Sequence, residues 1–338
     1  MMSNKQLSVP IIDVGPLFQD DSSAWETVDA QIGSASKTIG AFVATGMPDA
    51  YRVDDEDVAT LHSVFDLPQA MRDAIGSQSY NPANNHKWRG YSATLKAGWA
   101  HNEFFDIGPE HSINGPNLKG IEILTEGNIW PTKEPVAGWR EAMRQRWQAM
   151  HKLSALLFRS LLRALGADEI ESMTRFASDY ATLRLLNYPK KPEGVDVGGQ
   201  VNATRVYDGL EQPLLTVEHD DSCCLSLLWQ DQSGGLQVQT PDGEWLVVPK
   251  VAGSVSVHFG TSMAPLTAGL LQATPHRVLG DSDRQSMGFF FELDLDAELS
   301  PLPNLAVNSL PSTGVDTYGS ALLKTLVKRG QYLDLIEV

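Results

Sequence analysis

The sequence predicts a mixed α/β chain whose C-terminal half is all β, a sandwich, barrel or jelly roll backed by helices. Two observations lead there. From Ala181 onward, short apolar runs follow one another with turn signals and no helix between them: ATLRLLNY, PLLTVEH, CCLSLLWQ, GLQVQT, EWLVVP, SVSVHFG, HRVLG and SMGFFFEL. Before them, Trp139, Met143, Trp147, Met150, Leu153, Leu157 and Leu161 recur at spacings of three and four. That spacing predicts one long amphipathic helix over 137–165, stopped by Gly166. Its apolar face needs a large partner, so helices and strands are expected to form one cooperative unit.

The remaining elements follow from the N-terminus. VPIIDV (9–14) reads as a short buried strand, 24–41 as a helix and AFVAT as a second strand closed by Gly46. Asp54–Ile75 reads as one or two helices interrupted at Pro68, because proline removes a helix donor. SQSYNPANNHKWRGYS (77–92) is loop by composition, and HNEFFDIG (101–108) is a strand candidate. The segment 190–212 reads as a solvent loop or a substrate lid. Beyond Pro301 the chain turns Pro/Ser-rich and ends in a helix at about 316–329 that docks back on the core.

Composition excludes several classes of function. The 338 residues are 42% hydrophobic, enough for a sizeable core and against whole-chain disorder. With 26 Lys+Arg against 42 Asp+Glu, the net charge of −16 argues against nucleic acid or an anionic membrane surface as partner. The only cysteines, Cys223 and Cys224, are adjacent and ill placed to bridge, which suits a reducing compartment. There is no signal-peptide pattern and no long apolar run, so a soluble cytoplasmic protein acting on a small molecule is expected. Oligomeric state is not legible.

The chemistry concentrates in the β half. In Glu218-His219-Asp220-Asp221, residues two apart share a strand face, so His219 and Asp221 can aim an imidazole and a carboxylate at one point. His276 opens a later strand. Two imidazoles and one carboxylate on one face of an ion leave the opposite positions open, the arrangement of non-haem Fe(II) oxygenases. A His-x-acid pair is weak by itself: this composition gives about one by chance, and His101-Asn102-Glu103 also matches. Arg284-Gln285-Ser286 strengthens it, because a guanidinium fork and a hydroxyl on one face suit a carboxylate. Tyr188 in LNYP supplies a further hydroxyl.

With these motifs in order, from VPIIDV through WRGY (88–91), HNEFFDIG, NIWP (128–131), RLLNYP, HDD (219–221), GGLQVQTPDGEWLVVP, TPHR and RQS to MGFFFEL, the chain resembles the isopenicillin N synthase-like Fe(II)/2-oxoglutarate-dependent oxygenases along almost its whole length. The resemblance implies a double-stranded β-helix (jelly roll) flanked by N-terminal helices and a long backing helix. It divides the chain into a helical and mixed region (1–177), a jelly-roll domain (178–298) and a C-terminal helical tail (299–338). It implies that His219, Asp221 and His276 bind Fe(II), that Arg284, Ser286 and Tyr188 bind 2-oxoglutarate, and that O2 is the second co-substrate. An unactivated C–H bond would be oxidised by hydroxylation, desaturation or ring closure, with release of succinate and CO2. Arg89 and Arg184 fall where relatives place side chains that contact substrate or co-substrate, Tyr91 is a further candidate for lining the substrate pocket, and Glu103 falls where relatives usually have no ligand. His258 stands where the family often has asparagine, and reads either as a core histidine hydrogen-bonded in its place or as a substrate contact.

Three rival readings differ in kind. An Fe(II) oxidase of the same fold would use Arg284 and Ser286 to grip the substrate's own carboxylate and take no 2-oxoglutarate. A non-catalytic binding protein would keep the metal for structure. A zinc hydrolase leaves Arg284-x-Ser286 without a role.

Overall fold

Strand alternation decides where the site can be, because it gives the central strands of the large sheet (Ala181–Tyr188, Leu225–Gln230, Val255–Phe259 and Arg284–Phe291) one apolar and one mixed face. The structure is a computed structural model describing residues 7–78, 80–94, 97–305 and 316–328. Strand β1 (Ile11–Asp13) is followed by helix α1 (Ser22–Thr38) and returns parallel to itself as β2 (Ala41–Thr45). Asp21 caps α1 by accepting from the Ser23 amide. Helices α2 (Asp55–His62) and α3 (Gln69–Ala74) are separated at Pro68, as expected. The expected 77–92 loop ends in a strand, β3 (Gly90–Ser92), followed by β4 (Ala97–Gly98) and β5 (Glu103–Ile107). The long helix α4 spans Trp139–Leu165, and α5 (Glu169–Met173) follows. Gly166 ends α4 at φ 76°, and the Ala167 amide reaches back to the Leu162 carbonyl, a stop that needs the left-handed region.

All eight strands expected from Ala181 onward are present, and the 190–212 segment adds three more. They are β6 (Ala181–Tyr188), β7 (Asp196–Val197), β8 (Gln200–Val201), β9 (Thr204–Tyr207), β10 (Leu210–His219) and β11 (Leu225–Gln230). Then come β12 (Leu236–Gln239), β13 (Trp245–Val247), β14 (Val255–Phe259), helix α6 (Met263–Leu266), β15 (His276–Leu279) and β16 (Arg284–Phe291). Helix α7 runs Tyr318–Lys328; residue 329 and the Pro/Ser-rich stretch 306–315 lie outside the described residues. No helix among the described residues is long and apolar enough to cross a membrane.

One sheet has eight strands in the order β1-β2-β14-β11-β16-β6-β5-β3, and a second has five in the order β13-β12-β15-β10-β9. From β10 to β16 the chain winds between the two sheets, which makes a jelly roll. The outer face of the large sheet (Leu183, Leu185, Leu227, Val257, Phe289, Phe291) packs with α4 and α7 in one apolar core running from Ile12 to Leu326. A smaller apolar layer between the sheets holds Val43, Tyr188, Leu215, Val238 and Val278. Inner-face positions that are not apolar are therefore confined between two sheets.

The expected solvent loop is corrected. Asp208 (φ 50°) and Gly209 (φ 78°) turn β9 into β10 as a two-residue hairpin, and Arg205 ties it down by donating to Glu218 at 3.1 Å. Asp208-Gly209 between TRVY and LEQP is the sequence signal that reveals this hairpin.

Candidate metal centre and co-substrate site

His219 ends β10 and His276 begins β15, and the two are paired in register. Their rings lie 4.1 Å apart between centroids. Asp221, two residues past the strand, places Oδ1 3.9 Å from His219 Nε2 and Oδ2 3.6 Å from His276 Nε2. One ligand atom from each lies within 4.8 Å of the others, the one such set of three among the described residues. The outer nitrogens hold the rings in place: His219 Nδ1 meets the Val217 carbonyl at 2.8 Å and His276 Nδ1 the Thr274 carbonyl at 3.1 Å. A carbonyl only accepts, so Nδ1 carries a proton and Nε2 is the nitrogen turned toward Asp221. Burial pushes the Asp221 carboxyl up, but the imidazoles of His276 and His219 and a 2.5 Å hydrogen bond from Ser226 hold it down at about 2. Ser226 carries no motif, yet alternation along LSLLWQ puts it on the inner face beside the ligands. That alternation is the one signal that could have found it.

The clamp residues converge on the same interior. Arg284 and Tyr188 are register partners, and the guanidinium lies 4.8 Å over the tyrosine ring. Arg284 is 3% exposed. Its Nε donates to the Gly234 carbonyl at 2.5 Å, while Nη1 is buried without a hydrogen-bond partner. A buried charged donor left unmatched is a place prepared for an anion. Ser286 donates to the Trp229 carbonyl at 2.6 Å, so it must turn its proton to serve a carboxylate. A cavity of about 80 Å³ borders Arg284, lined also by Tyr207, Gln212, Gly235 and Leu279.

The expected substrate residues separate. Tyr91 is a correction: paired with Phe105 in β3, it points to the helical side, packs on Phe65 and Tyr80, and donates to Glu103 at 2.5 Å. An odd-numbered neighbour of Gly90 and Ser92 cannot share their face. Glu103 is engaged by Tyr91, Arg72 and Asn187, away from the triad. Arg89 is buried within the wall and donates to Thr182 at 2.9 Å, which in turn donates to Glu292, also reached by Tyr318 from α7. Arg184 does face inward, paired bidentately with buried Asp106 at 2.8 and 2.6 Å and lying over Phe104 at 4.3 Å. His258 is buried on the inner face, but neither ring nitrogen has a hydrogen-bond partner among the described residues, against the expectation of a bonded core histidine. Burial pushes its pKa down to about 3, so the ring is neutral.

A jelly roll that turns two imidazoles and one carboxylate toward a single point is the architecture of the non-haem Fe(II) oxygenases. The comparisons with known proteins agree. Residues 183–293 match the model of the 2OG-Fe(II) oxygenase superfamily, and residues 9–133 match that of the non-haem dioxygenase in morphine synthesis N-terminal family. Isopenicillin N synthase of Amycolatopsis lactamdurans is 29% identical, covering 98% of this chain and all of that one. The 2-oxoglutarate-dependent dioxygenase citB of Monascus ruber is 27% identical over 89% of each chain. The solved structure of a full-length Neurospora crassa protein in complex with alpha-KG and thymine superposes with a TM-score of 0.75 at 20% identity, covering 96% of this chain and 98% of that one. Along nearly its whole length the chain is similar to the isopenicillin N synthase-like Fe(II)/2-oxoglutarate-dependent oxygenases. It is an oxidoreductase that uses Fe(II), 2-oxoglutarate and O2.

Proposed function

We propose that this protein oxidises an unactivated C–H bond of a small organic molecule, by hydroxylation, desaturation or ring closure, at an Fe(II) held by His219, Asp221 and His276. The observation that carries the reading is the pairing of that three-sided set with an unmatched Arg284 Nη1 in the same closed interior. Bound Fe(II) supplies the redox chemistry that couples decarboxylation of 2-oxoglutarate, to succinate and CO2, to oxidation of the substrate. The chain's own residues do the rest. Asp221, kept ionised by its surroundings, contributes the one negative ligand, and Ser226 fixes which way its carboxylate faces. Arg284, with Tyr188 under its guanidinium, receives the distal carboxylate, and Ser286 adds a hydroxyl once turned from Trp229. The packed strands on both sides keep bulk water from the reacting carbon. Arg184, steadied by Asp106 and Phe104 and 28% exposed at its side chain, is the polar group an entering substrate meets.

In this reading residues 178–298 form the catalytic roll, the region 1–177 backs it, and the described part of the 299–338 tail, with its helix Tyr318–Lys328, caps it. The buried free thiols of Cys223 and Cys224 suit a reducing, cytoplasmic setting. The test is succinate release that requires both added Fe(II) and 2-oxoglutarate across a panel of small organic acids, amines and aromatics, with calorimetry of 2-oxoglutarate on the anaerobic Fe(II) protein. Tight binding and substrate-stimulated succinate support the assignment. No binding at all returns the oxidase alternative, in which Arg284 grips the substrate.

A further inference from the structure

Beside the triad sits a histidine with no visible task. His258 is 1% exposed, and both of its ring nitrogens lack partners among the described residues. Burying an imidazole in that state costs stability unless something else completes it. Its position narrows what that is. In β14 it stands between Ser226 of β11 and Ala41 of β2, on the inner face of the large sheet. Its ring lies 4.8 Å from that of His276, inclined by 25°. A ring stacked on a ligand imidazole lies beside the ion position and not on it, and His258 is not part of the converging set. Its unmatched nitrogens are therefore left for a group bound beside the triad. On this closed side the neighbours are the apolar Ala41 and Val43, whereas Arg184, the more exposed polar group, lies three strands away across the sheet. A 2-oxo acid chelated at the triad would bring a carboxylate into this interior, which already holds the Asp221 charge.

We propose that His258 is a positioning residue that donates a ring N–H to the metal-chelating carboxylate of the 2-oxo acid. This rests on the Fe(II)/2-oxoglutarate reading above. A neutral imidazole has one N–H to give, and that hydrogen bond sets the orientation of the chelate and favours it over loose binding through the distal end alone.

The test uses the full-length protein loaded anaerobically with Fe(II) and titrated with 2-oxoglutarate, read by calorimetry and by the visible charge-transfer absorption of the chelate. His258→Phe keeps a ring of similar size but has no N–H. It should weaken 2-oxoglutarate about tenfold and displace the absorption maximum, while Fe(II) affinity without 2-oxoglutarate stays within about twofold. His258→Asn restores an N–H donor and should recover most of the affinity. Pyruvate, a 2-oxo acid with no distal carboxylate, should suffer the same loss in His258→Phe, because the missing contact is at the chelating end. Should His258→Phe not fold, His258→Ala against His258→Asn carries the same contrast. Unchanged affinity and absorption in His258→Phe would overturn the proposal. So would a collapse of Fe(II) affinity, a loss confined to 2-oxoglutarate, or an asparagine variant as weak as the phenylalanine one. Wild-type protein that binds no 2-oxoglutarate would sink the functional reading instead, so the two failures are distinguishable.

Discussion

The two faces of the eight-stranded sheet are built on opposite terms. Outward, β6, β11, β14 and β16 present Leu183, Leu227, Val257, Phe289 and Phe291 to the helices. There Trp147 meets Phe289 at 5.9 Å and Trp139 meets Phe105 at 5.5 Å between ring centroids. Inward, the same strands carry Tyr188, Ser226, His258, Arg284 and Ser286, where both nitrogens of His258 and Nη1 of Arg284 are unmatched beside the triad; outward, Trp147 Nε1 is buried without a partner too, but among apolar neighbours. One face is almost wholly apolar, and the other carries the groups able to bind a metal and an acid. The period-two geometry of a strand lets one sheet do both. The apolar face supplies the stability that an underbonded face consumes.

The sharpest way to break this comparison is on the inner side. His219→Ala should lower substrate-dependent succinate formation about 10³-fold or more while the circular dichroism spectrum and unfolding midpoint stay near wild type. A large fall in stability instead would show that the inner face is also structural. Next comes its opposite, Trp139→Ala on the outer side. Trp139 is fully buried and donates to the Leu61 carbonyl at 2.8 Å. Its loss should cost about 3–5 kcal/mol in denaturant unfolding, yet leave the 2-oxoglutarate affinity of the folded fraction unchanged. Arg284→Leu should weaken 2-oxoglutarate about 100-fold and pyruvate hardly at all, seen by calorimetry on the anaerobic Fe(II) protein, because only the distal carboxylate loses its cation. Equal losses for both acids would mean that Arg284 shapes the site without gripping that carboxylate.

The smallest effect tests the join between the faces. His62 on α2 reaches the Ser286 carbonyl with Nε2 at 3.0 Å and the Val58 carbonyl with Nδ1 at 2.9 Å. Burial pushes its pKa below the ordinary histidine value, so the folded state prefers the neutral ring. The stability this brings is present in full above about pH 6.5 and is lost as pH falls toward the lowered pKa. Wild type should therefore lose about 1 kcal/mol between pH 7 and 5 that His62→Gln does not lose, measured by urea unfolding at both values. Parallel pH curves for the two proteins would remove His62 as the acid-sensitive joint.

Much of this is legible in one dimension. The long helix announces itself because Trp139 to Leu161 repeat at helical spacing and Gly166 can take the left-handed backbone that stops it. The strands after Ala181 are equally plain, being apolar runs cut by turn residues. His219, Asp221, His276, Arg284 and Ser286 stand out because their chemistry is rare in company and their order matches a family. The 190–212 hairpin reads as a loop because its strands are short and half exposed, so little apolar pattern marks them. Tyr91 is misplaced by sequence reasoning because one position along a strand reverses the face, and no motif records which face a sheet will bury.

The sequence by itself determined the periodicities, the breaks and the set of groups able to bind a metal and an acid, since all of these are properties of neighbours along the chain. Only the tertiary structure decided that His219 pairs with His276, that Ser226 holds Asp221, that Asp106 occupies Arg184 and that His258 lies stacked and unmatched. These are relations between strands distant in sequence, fixed by register and by which face each strand turns inward, and no local pattern of residues specifies either.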